Sequence, residues 1–147
     1  MSSTYSFADV NASIAGPTGT LPLGYGNGIS DEGITIDMAG DKNTMTIAAD
    51  GQPMHSLHAD KSGVVTIRVL KTSPVNAALQ IMYDTQTASS ALHGNNTITV
   101  THSTSGYITT CTQCAFKKKP NVKYAKIGDI LEWAFDAGVI NTIFGKY

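Results

Sequence analysis

A turn, a strand and a helix between residues 51 and 86 constrain the fold of this chain more than any other stretch. Residues 64–70 are rich in β-branched side chains, and their alternation predicts a strand with two different faces. One face carries Val64, Thr66, Arg68 and Leu70, and the other carries Val65, Ile67 and Val69. Asp60–Gly63, just before this strand, is predicted to be a turn, because glycine adopts conformations that β-branched residues avoid. We therefore expect Met54–His58 to pair with the strand across that turn.

The pattern changes to helical spacing after residue 70. Ser73 can cap a helix, and Pro74 suits the first helical position, where a missing N–H costs nothing. The apolar stripe that follows is formed by Val75, Leu79, Met82 and Gln86, at spacings of four, three and four. The sequence therefore predicts one helix that ends near Thr87 and packs by a single face.

Alternating segments elsewhere predict further strands. They are Tyr5 to about Ser13, Ile34–Met38, Met45–Ile47, Thr97–Thr101, Tyr107–Phe116, Ile130–Phe135 and the apolar tail Val139–Phe144. Asp50-Gly51 is a hairpin signal, so we expect a meander of four strands before the helix. Gly16–Ser30 is rich in Gly and Pro and is expected to be a loop. The predicted fold is mainly β: a β-sandwich or squashed barrel of about eight strands, with one α-helix packed at the side.

Charge is scarce and unevenly distributed. Charged residues make up 14% of the 147-residue chain, against a usual level of about 25%. Low charge with many threonines indicates sheet and favours self-assembly, although an ordinary β-sandwich with a neutral polar surface has the same composition. The formal net charge of −1 excludes a generally cationic nucleic-acid binder. We expect no membrane segment and no secretory signal, and hence synthesis in a cytoplasm.

Two oppositely charged segments are the candidate subunit interfaces. The acidic candidates are Asp31, Glu32, Asp37, Asp41, Asp50 and Asp60. The basic candidates are Lys117, Lys118, Lys119, Lys123 and Lys126. Lysines before Pro120 at a strand end also discourage edge-to-edge aggregation, so the basic segment has two interpretations. If the two segments meet across subunits, Glu substitutions at Lys117–Lys119 impair assembly and leave the monomer folded.

A Cys/His metal site is the most specific chemical hypothesis. Cys111 and Cys114 form a CxxC, and His55 and His58 form an HxxH. On a regular strand, however, residues three apart point to opposite faces, which predicts one buried and one half-exposed cysteine. His93 and His102 are expected at the surface or in a pore, and Trp133 in the core. No pattern for nucleophilic catalysis or phosphate binding is present.

The order of these parts resembles the tail tube proteins of contractile-tailed bacteriophages. The segments that carry the resemblance are Tyr5–Ala12, Asp50-Gly51, Asp60–Asn76, Thr104–Gly106, Phe116–Pro120 and Ile130–Gly138. Asp60–Asn76 (DKSGVVTIRVLKTSPVN) is the most distinctive of them. The resemblance covers nearly the whole chain and implies a single tail-tube domain, residues 1–147. The fold is shared with tube proteins of contractile bacteriocins and type VI secretion, so fold alone does not separate these machines.

The resemblance also implies a function and partners. It implies hexameric rings whose sheets join into an inner barrel, stacked into a tube within a contractile sheath, and no catalytic site, cofactor or metal. The expected partners are other copies of the chain, the tail sheath, baseplate and tail terminator proteins, and DNA that passes through the lumen without specific binding. The expected location is the virion tail, with a neutral to acidic lumen wall. A monomeric β-sandwich binding module is the alternative, followed by a Cys/His metal-binding protein.

Overall fold

The chain folds into ten strands and one α-helix within the residues that the structure describes. The structure is a computed structural model that describes residues 3–26 and 28–145, with the backbone alone at 30–32. The strands are β1 Val10–Gly16, β2 Gly19–Pro22, β3 Ile29–Met38, β4 Asn43–Ile47, β5 Pro53–Leu57, β6 Gly63–Leu70, β7 Asn96–His102, β8 Tyr107–Lys118, β9 Ile130–Ala137 and β10 Val139–Ile143. The helix α1 is Val75–Thr87. Within residues 3–26 and 28–145, no helix is long and apolar enough to cross a membrane.

The larger sheet folds over into two layers because β8 belongs to both. Its first part pairs with β7 and β10, and its last part, Ala115–Lys118, pairs with β9. We call β2, β1, β7, β10 and the first part of β8 layer A. Layer B is β3, β6, β9 and the last part of β8. The order β2-β1-β7-β8-β9-β6-β3 leaves the sheet open, so the mainly β prediction with one helix is confirmed and the sheet is not a closed barrel.

The corner between the layers lies at Gln113. This residue has φ +55°, a left-handed conformation that side chains rarely adopt, and the β7–β8 register shifts beside it. Gly138 faces it, and its N–H donates to the Thr112 carbonyl at 3.1 Å. A Cβ at Gly138 would lie only 3.0 Å from the Gln113 side chain, so glycine suits this position. The extra residue in β8 turns its second half into layer B.

The core lies between the layers and beneath the helix. As predicted, Val65, Ile67 and Val69 are the buried face of β6, and the four stripe residues are the buried side chains of α1. The helix begins one residue later than predicted, with Pro74 and not Ser73 at the N-cap position, and the Ser73 hydroxyl accepts the Val75 N–H at 3.2 Å. Trp133 is 1% exposed, as predicted for a core residue, and its indole N–H donates to Asn76 Oδ1 at 3.1 Å.

The predicted boundaries near the N-terminus were wrong. The first strand begins at Val10, because a short 3-10 helix, Phe7–Asp9, precedes it and Ser6 caps that helix. The segment Gly16–Ser30, expected to be a loop, forms β2 within it, and Leu23 is fully buried. Its residue 27 lies outside the described residues.

The predicted four-stranded meander was also wrong. β4 and β5 pair only with each other, as a separate two-stranded sheet, while β6 pairs with β3 and β9. The Asp50-Gly51 turn is present, with Gly51 at φ +90°. The hairpin is therefore an excursion between two neighbouring strands of layer B. The apolar face of β6 is buried between the two layers, and the strand that pairs with β6 there is β9, not β5.

Candidate functional site

The hairpin end of layer B is where β3 runs into the β4–β5 hairpin and the chain returns to β6. Met38 pairs with Gly63 at this end, so Asp37 and Asp60 lie close to the base of the hairpin. Asp41 precedes β4, and Asp50 lies in the hairpin turn. All four carboxylates are exposed. The structure thus gathers four of the six acidic interface candidates at one end of the sheet.

Local hydrogen bonds keep Asp60 ionised. The Ser62 hydroxyl donates to Asp60 Oδ1 at 2.6 Å and the Ser62 N–H donates to it at 2.8 Å. These bonds, with the nearby Lys42 ammonium, hold the pKa of the Asp60 carboxyl below its usual value. Asp60 therefore keeps its negative charge under mildly acidic conditions.

The hairpin itself is mostly apolar on one face, and its strand residues are exposed except for the half-buried Ser56. Met45, Ile47, Pro53 and Leu57 share this face with Asn43 and His55, because directly paired residues of antiparallel strands lie on the same side. Leu57 is 83% exposed and Ile47 is 54% exposed. Isolated two-stranded hairpins are marginally stable in water, and contiguous exposed apolar side chains mark interaction surfaces. The alternation here was predictable from the sequence, but the exposure of this face, which packs against no core residue in the described part of the chain, was not.

The lysine end of layer B lies at the opposite end of β6. The loop between β8 and β9 contains Lys119, Lys123 and Lys126, all exposed, and the Lys71 ammonium donates to the Lys123 carbonyl at 2.6 Å. Lys71 also lies 4.2 Å from the ring centroid of Tyr124. Exposed apolar residues accompany the charges here too: Val122, Tyr124 and Ile127. The loop is thus a basic and apolar surface.

The two ends are separated by the length of β6. Gly63 lies at the hairpin end and Leu70 at the lysine end, seven steps apart, which is about 23 Å for an extended strand. Four predicted candidates lie apart from their groups: Asp31, Glu32, Lys117 and Lys118, the last residue of β8. Asp31 and Glu32 fall in the β3 irregularity between Ile29 and Ile34, and their side chains are outside the description. Lys117 lies in mid-sheet, where its ammonium is 3.9 Å from Asp136 Oδ1.

The solvent faces of the two layers differ in charge. The strands of layer A contain no Asp, Glu, Lys or Arg, and their outward side chains are mainly Thr, Ser and Asn. The solvent face of layer B has charged side chains at its centre. Arg68 lies directly across from Glu132, with Nε to Oε1 at 3.2 Å, and its Nη1 donates to Thr35 Oγ1 at 2.7 Å. Sequence analysis missed this cluster, because the β6–β9 pairing that creates it is not apparent from local pattern.

The cysteine prediction was wrong: Cys111 and Cys114 are both fully buried. The corner at Gln113 adds a residue between them, so both side chains enter the core, and the Cys114 thiol donates to the Cys111 carbonyl at 3.4 Å. Burial raises the pKa of the Cys111 thiol to about 11 and that of Cys114 to about 12. The thiolate is the metal ligand and the nucleophile, so both groups are unreactive at neutral pH.

The histidines of the proposed metal site lie elsewhere, on the exposed hairpin. His55 Nδ1 is 3.2 Å from Asn43 Nδ2, and His58 Nε2 is 2.7 Å from Thr44 Oγ1. Among the side chains that the structure describes, no three His, Cys, Asp or Glu form a group that could hold a metal ion. His93 is exposed, as predicted. His102 is buried instead, with Nδ1 2.7 Å from Ser105 Oγ.

Solved structures with the same fold come from contractile injection systems. The cap of the anti-feeding prophage aligns with a TM-score of 0.58 at 11% identity, over 99% of this chain and 95% of that one. A chain of the sheath-tube complex of an extracellular contractile injection system, PVC, aligns with a TM-score of 0.53 at 10% identity, covering 90% and 88%. A chain of the PVC sheath/tube terminator aligns with a TM-score of 0.53 at 13% identity, covering 97% and 98%.

Sequence comparison gives the family directly. No curated protein matches the chain. The family model of the bacteriophage PhiTE tail tube protein, however, matches residues 1–145, nearly the full length. This match confirms the resemblance to tail tube proteins, and the solved structures confirm that the fold is shared with contractile injection systems. The chain belongs to the bacteriophage PhiTE tail tube protein family.

Proposed function

We propose that this chain assembles into rings that stack end to end into the tube of a contractile tail, through which DNA passes. Its family supports a structural role in the tail tube. In this role the chain acts through contacts between protein surfaces and carries out no catalytic step. The partners we propose are further copies of the chain, then the sheath, terminator and baseplate proteins of the same tail. Solved chains with this fold come from a sheath-tube complex, a terminator and a baseplate.

The observation that carries the proposal is the complementarity of the two ends of layer B. The hairpin end is acidic and apolar, and the lysine end is basic and apolar. Because they lie at opposite ends of the same strands, the hairpin end of one copy can dock onto the lysine end of the next without closing on itself. Such a head-to-tail contact generates an open stack. Seven of the eleven interface candidates are thereby proposed to act in contacts between rings: Asp37, Asp41, Asp50 and Asp60 at the hairpin end, and Lys119, Lys123 and Lys126 at the lysine end.

Contacts within a ring are proposed to run through the edges of layer B. In the described part of the chain, no strand pairs with the outer edge of β3 or of Ala115–Lys118. The edges of layer A are less available, since the Ile140 N–H already donates to the Lys61 carbonyl at 2.9 Å and β2 is short and ends in Pro22. Strand addition between copies therefore favours layer B as the continuous wall.

The shape of the subunit favours layer B on the inside of such a ring. Within the described residues, layer B has four strands, whereas layer A has five and is flanked by α1. The narrower layer fits the smaller circumference. Four strands span about 19 Å, so six subunits would enclose a wall about 37 Å across between facing backbones. A wall of that width leaves room for a DNA duplex.

The stacking contact is tested by a charge swap. K123E/K126E changes the lysine end, and we expect monomers that remain folded but fail to form tubes in negative-stain images. Adding D41K/D50K in the same chain restores opposite charges across the contact and is expected to restore tubes. Normal tubes from K123E/K126E alone would contradict the proposal. A monomeric binding module, the alternative function, predicts no rings or tubes from the wild-type chain.

The orientation of the layers is tested by thiol labelling of assembled tubes. Thr66 lies on the solvent face of layer B, and Thr99 lies on the outward face of layer A. We expect T66C to react with a small maleimide but not with one carrying a long polyethylene glycol chain, and T99C to react with both. Cys111 and Cys114 give little background, because burial keeps them protonated. The reverse pattern would place layer A inside.

A further inference from the structure

We infer that Glu132 and Thr35 hold Arg68 in place so that the channel wall does not bind DNA. The inference rests on the proposed function, in which layer B lines the channel. Arg68 lies at the centre of the solvent face of layer B, and its side chain is 20% exposed. An arginine on the wall of a DNA channel is a hazard, because guanidinium groups bind phosphate bidentately and each such contact retards the duplex.

Hydrogen bonds from two sides hold the guanidinium and so reduce its availability to phosphate. Glu132, on β9, faces Arg68 directly across the strand pair and accepts from Nε at 3.2 Å. Thr35, on β3, accepts from Nη1 at 2.7 Å. The guanidinium is therefore held along the sheet by partners on both neighbouring strands. Two of its five N–H donors are thereby directed at protein oxygens.

Carboxylates also lie beside the neighbouring cations of this face. Lys117 is 3.9 Å from Asp136, its closest approach being Nζ to Oδ1. Lys118 shares a surface recess with Asp129 and Glu132. Each of these cations therefore has a carboxylate on the same surface of layer B. We propose that Glu132 is the central positioning residue, since it forms the ion pair with Arg68 at the middle of this face.

The test compares DNA retention by assembled tubes. Wild-type and E132Q tubes are sedimented with a short fluorescent DNA duplex, and R68Q/E132Q tubes are the matched control. We expect E132Q to retain about tenfold more DNA than wild type at about 50 mM salt, with the gain lost towards about 200 mM. The double variant is expected at the wild-type level, because the cation that E132Q leaves without a carboxylate partner is then absent. Tube ends are the same in all three, so the differences report the wall.

The outcomes separate this inference from the proposed function. E132Q tubes that retain no more DNA than wild type would overturn the inference while leaving tube assembly intact. An equal gain in R68Q/E132Q would also overturn it, since Arg68 would not be the binding group. If E132Q alone does not assemble, it is assembled with wild-type chain in excess, and the gain is expected to scale with its fraction. If the wild-type chain forms no tubes, the proposed function fails and this inference fails with it.

Discussion

The interior of layer B and the β4–β5 hairpin place similar side chains in opposite surroundings. In the interior, Ile67 and Trp133 are 0% and 1% exposed. On the hairpin, Ile47 and Leu57 are 54% and 83% exposed. Both regions are short antiparallel strands with alternating side chains, so local pattern does not distinguish them. The difference suits the two roles proposed for apolar residues in this chain, stability of the monomer in one region and association of copies in the other.

The largest expected effect on monomer stability is at Trp133. W133A removes a buried indole that packs against Phe116 and whose N–H donates to Asn76. We expect the free energy of unfolding to fall by about 3–5 kcal/mol, from lost burial and the cavity left behind. Urea unfolding of the monomer measures this. A loss under about 1 kcal/mol would show that the interior of layer B is not the stabilising region, and the contrast between this interior and the hairpin would not hold.

A smaller effect is expected at the buried amide pair that joins α1 to layer A. Gln86 Nε2 donates to Asn96 Oδ1 at 2.8 Å, and Asn96 Nδ2 donates to Gln86 Oε1 at 2.6 Å. Both side chains are buried, and Gly16 leaves the room they need, since a Cβ there would collide with Asn96. We expect Q86A to lower the free energy of unfolding by about 1–3 kcal/mol, because it leaves the Asn96 amide unsatisfied.

A double-mutant cycle separates this pair from simple loss of packing. If the two amides stabilise the monomer through each other, Q86A/N96A costs less than the sum of Q86A and N96A, by about 0.5–3 kcal/mol. Additive costs would mean that each residue acts through its own packing. The cycle therefore sharpens the comparison, since it tests whether polar residues belong to the stabilising interior as fully as Trp133 does.

Local sequence patterns predicted the faces of the elements but not their partners. The inward residues of β6 and β9 and the stripe of α1 were predictable, because burial imposes a period of two on strands and 3.6 on helices. The choice of β9 over β5 as the neighbour of β6 was not, because strand pairing depends on residues distant in sequence. Nor was the corner at Gln113, since nothing in its residue type signals a left-handed backbone. The cysteine prediction failed for that reason.

The candidate site was predictable in the same partial way. The acidic and basic segments are visible in the sequence, but their placement at opposite ends of β6 depends on the register of β3, β6 and β9. The same register brings Glu132 across from Arg68. The apolar face of the hairpin was hidden by the expectation that β5 pairs with β6, because that pairing would have given its side chains a partner inside the monomer.

The smallest expected effect on monomer stability, and the sharpest test of the comparison, is on the hairpin. I47S/L57S replaces two exposed apolar side chains that the described structure leaves without contacts in the core. We expect the free energy of unfolding to change by about 0.5 kcal/mol or less, as for ordinary surface positions. We expect tube formation to be lost, because the docking face of the hairpin becomes polar.

The control for this variant lies on the opposite hairpin face. T44S/T46S changes exposed side chains there and leaves Ile47 and Leu57 in place, so tubes are expected to form normally. Both variants are compared by urea unfolding and by negative-stain imaging at equal concentration. If I47S/L57S destabilises the monomer as much as Q86A does, the hairpin belongs to the monomer's own core. If it is as stable as wild type and still forms tubes, the apolar face has no part in stacking, and the charged groups alone hold the rings together.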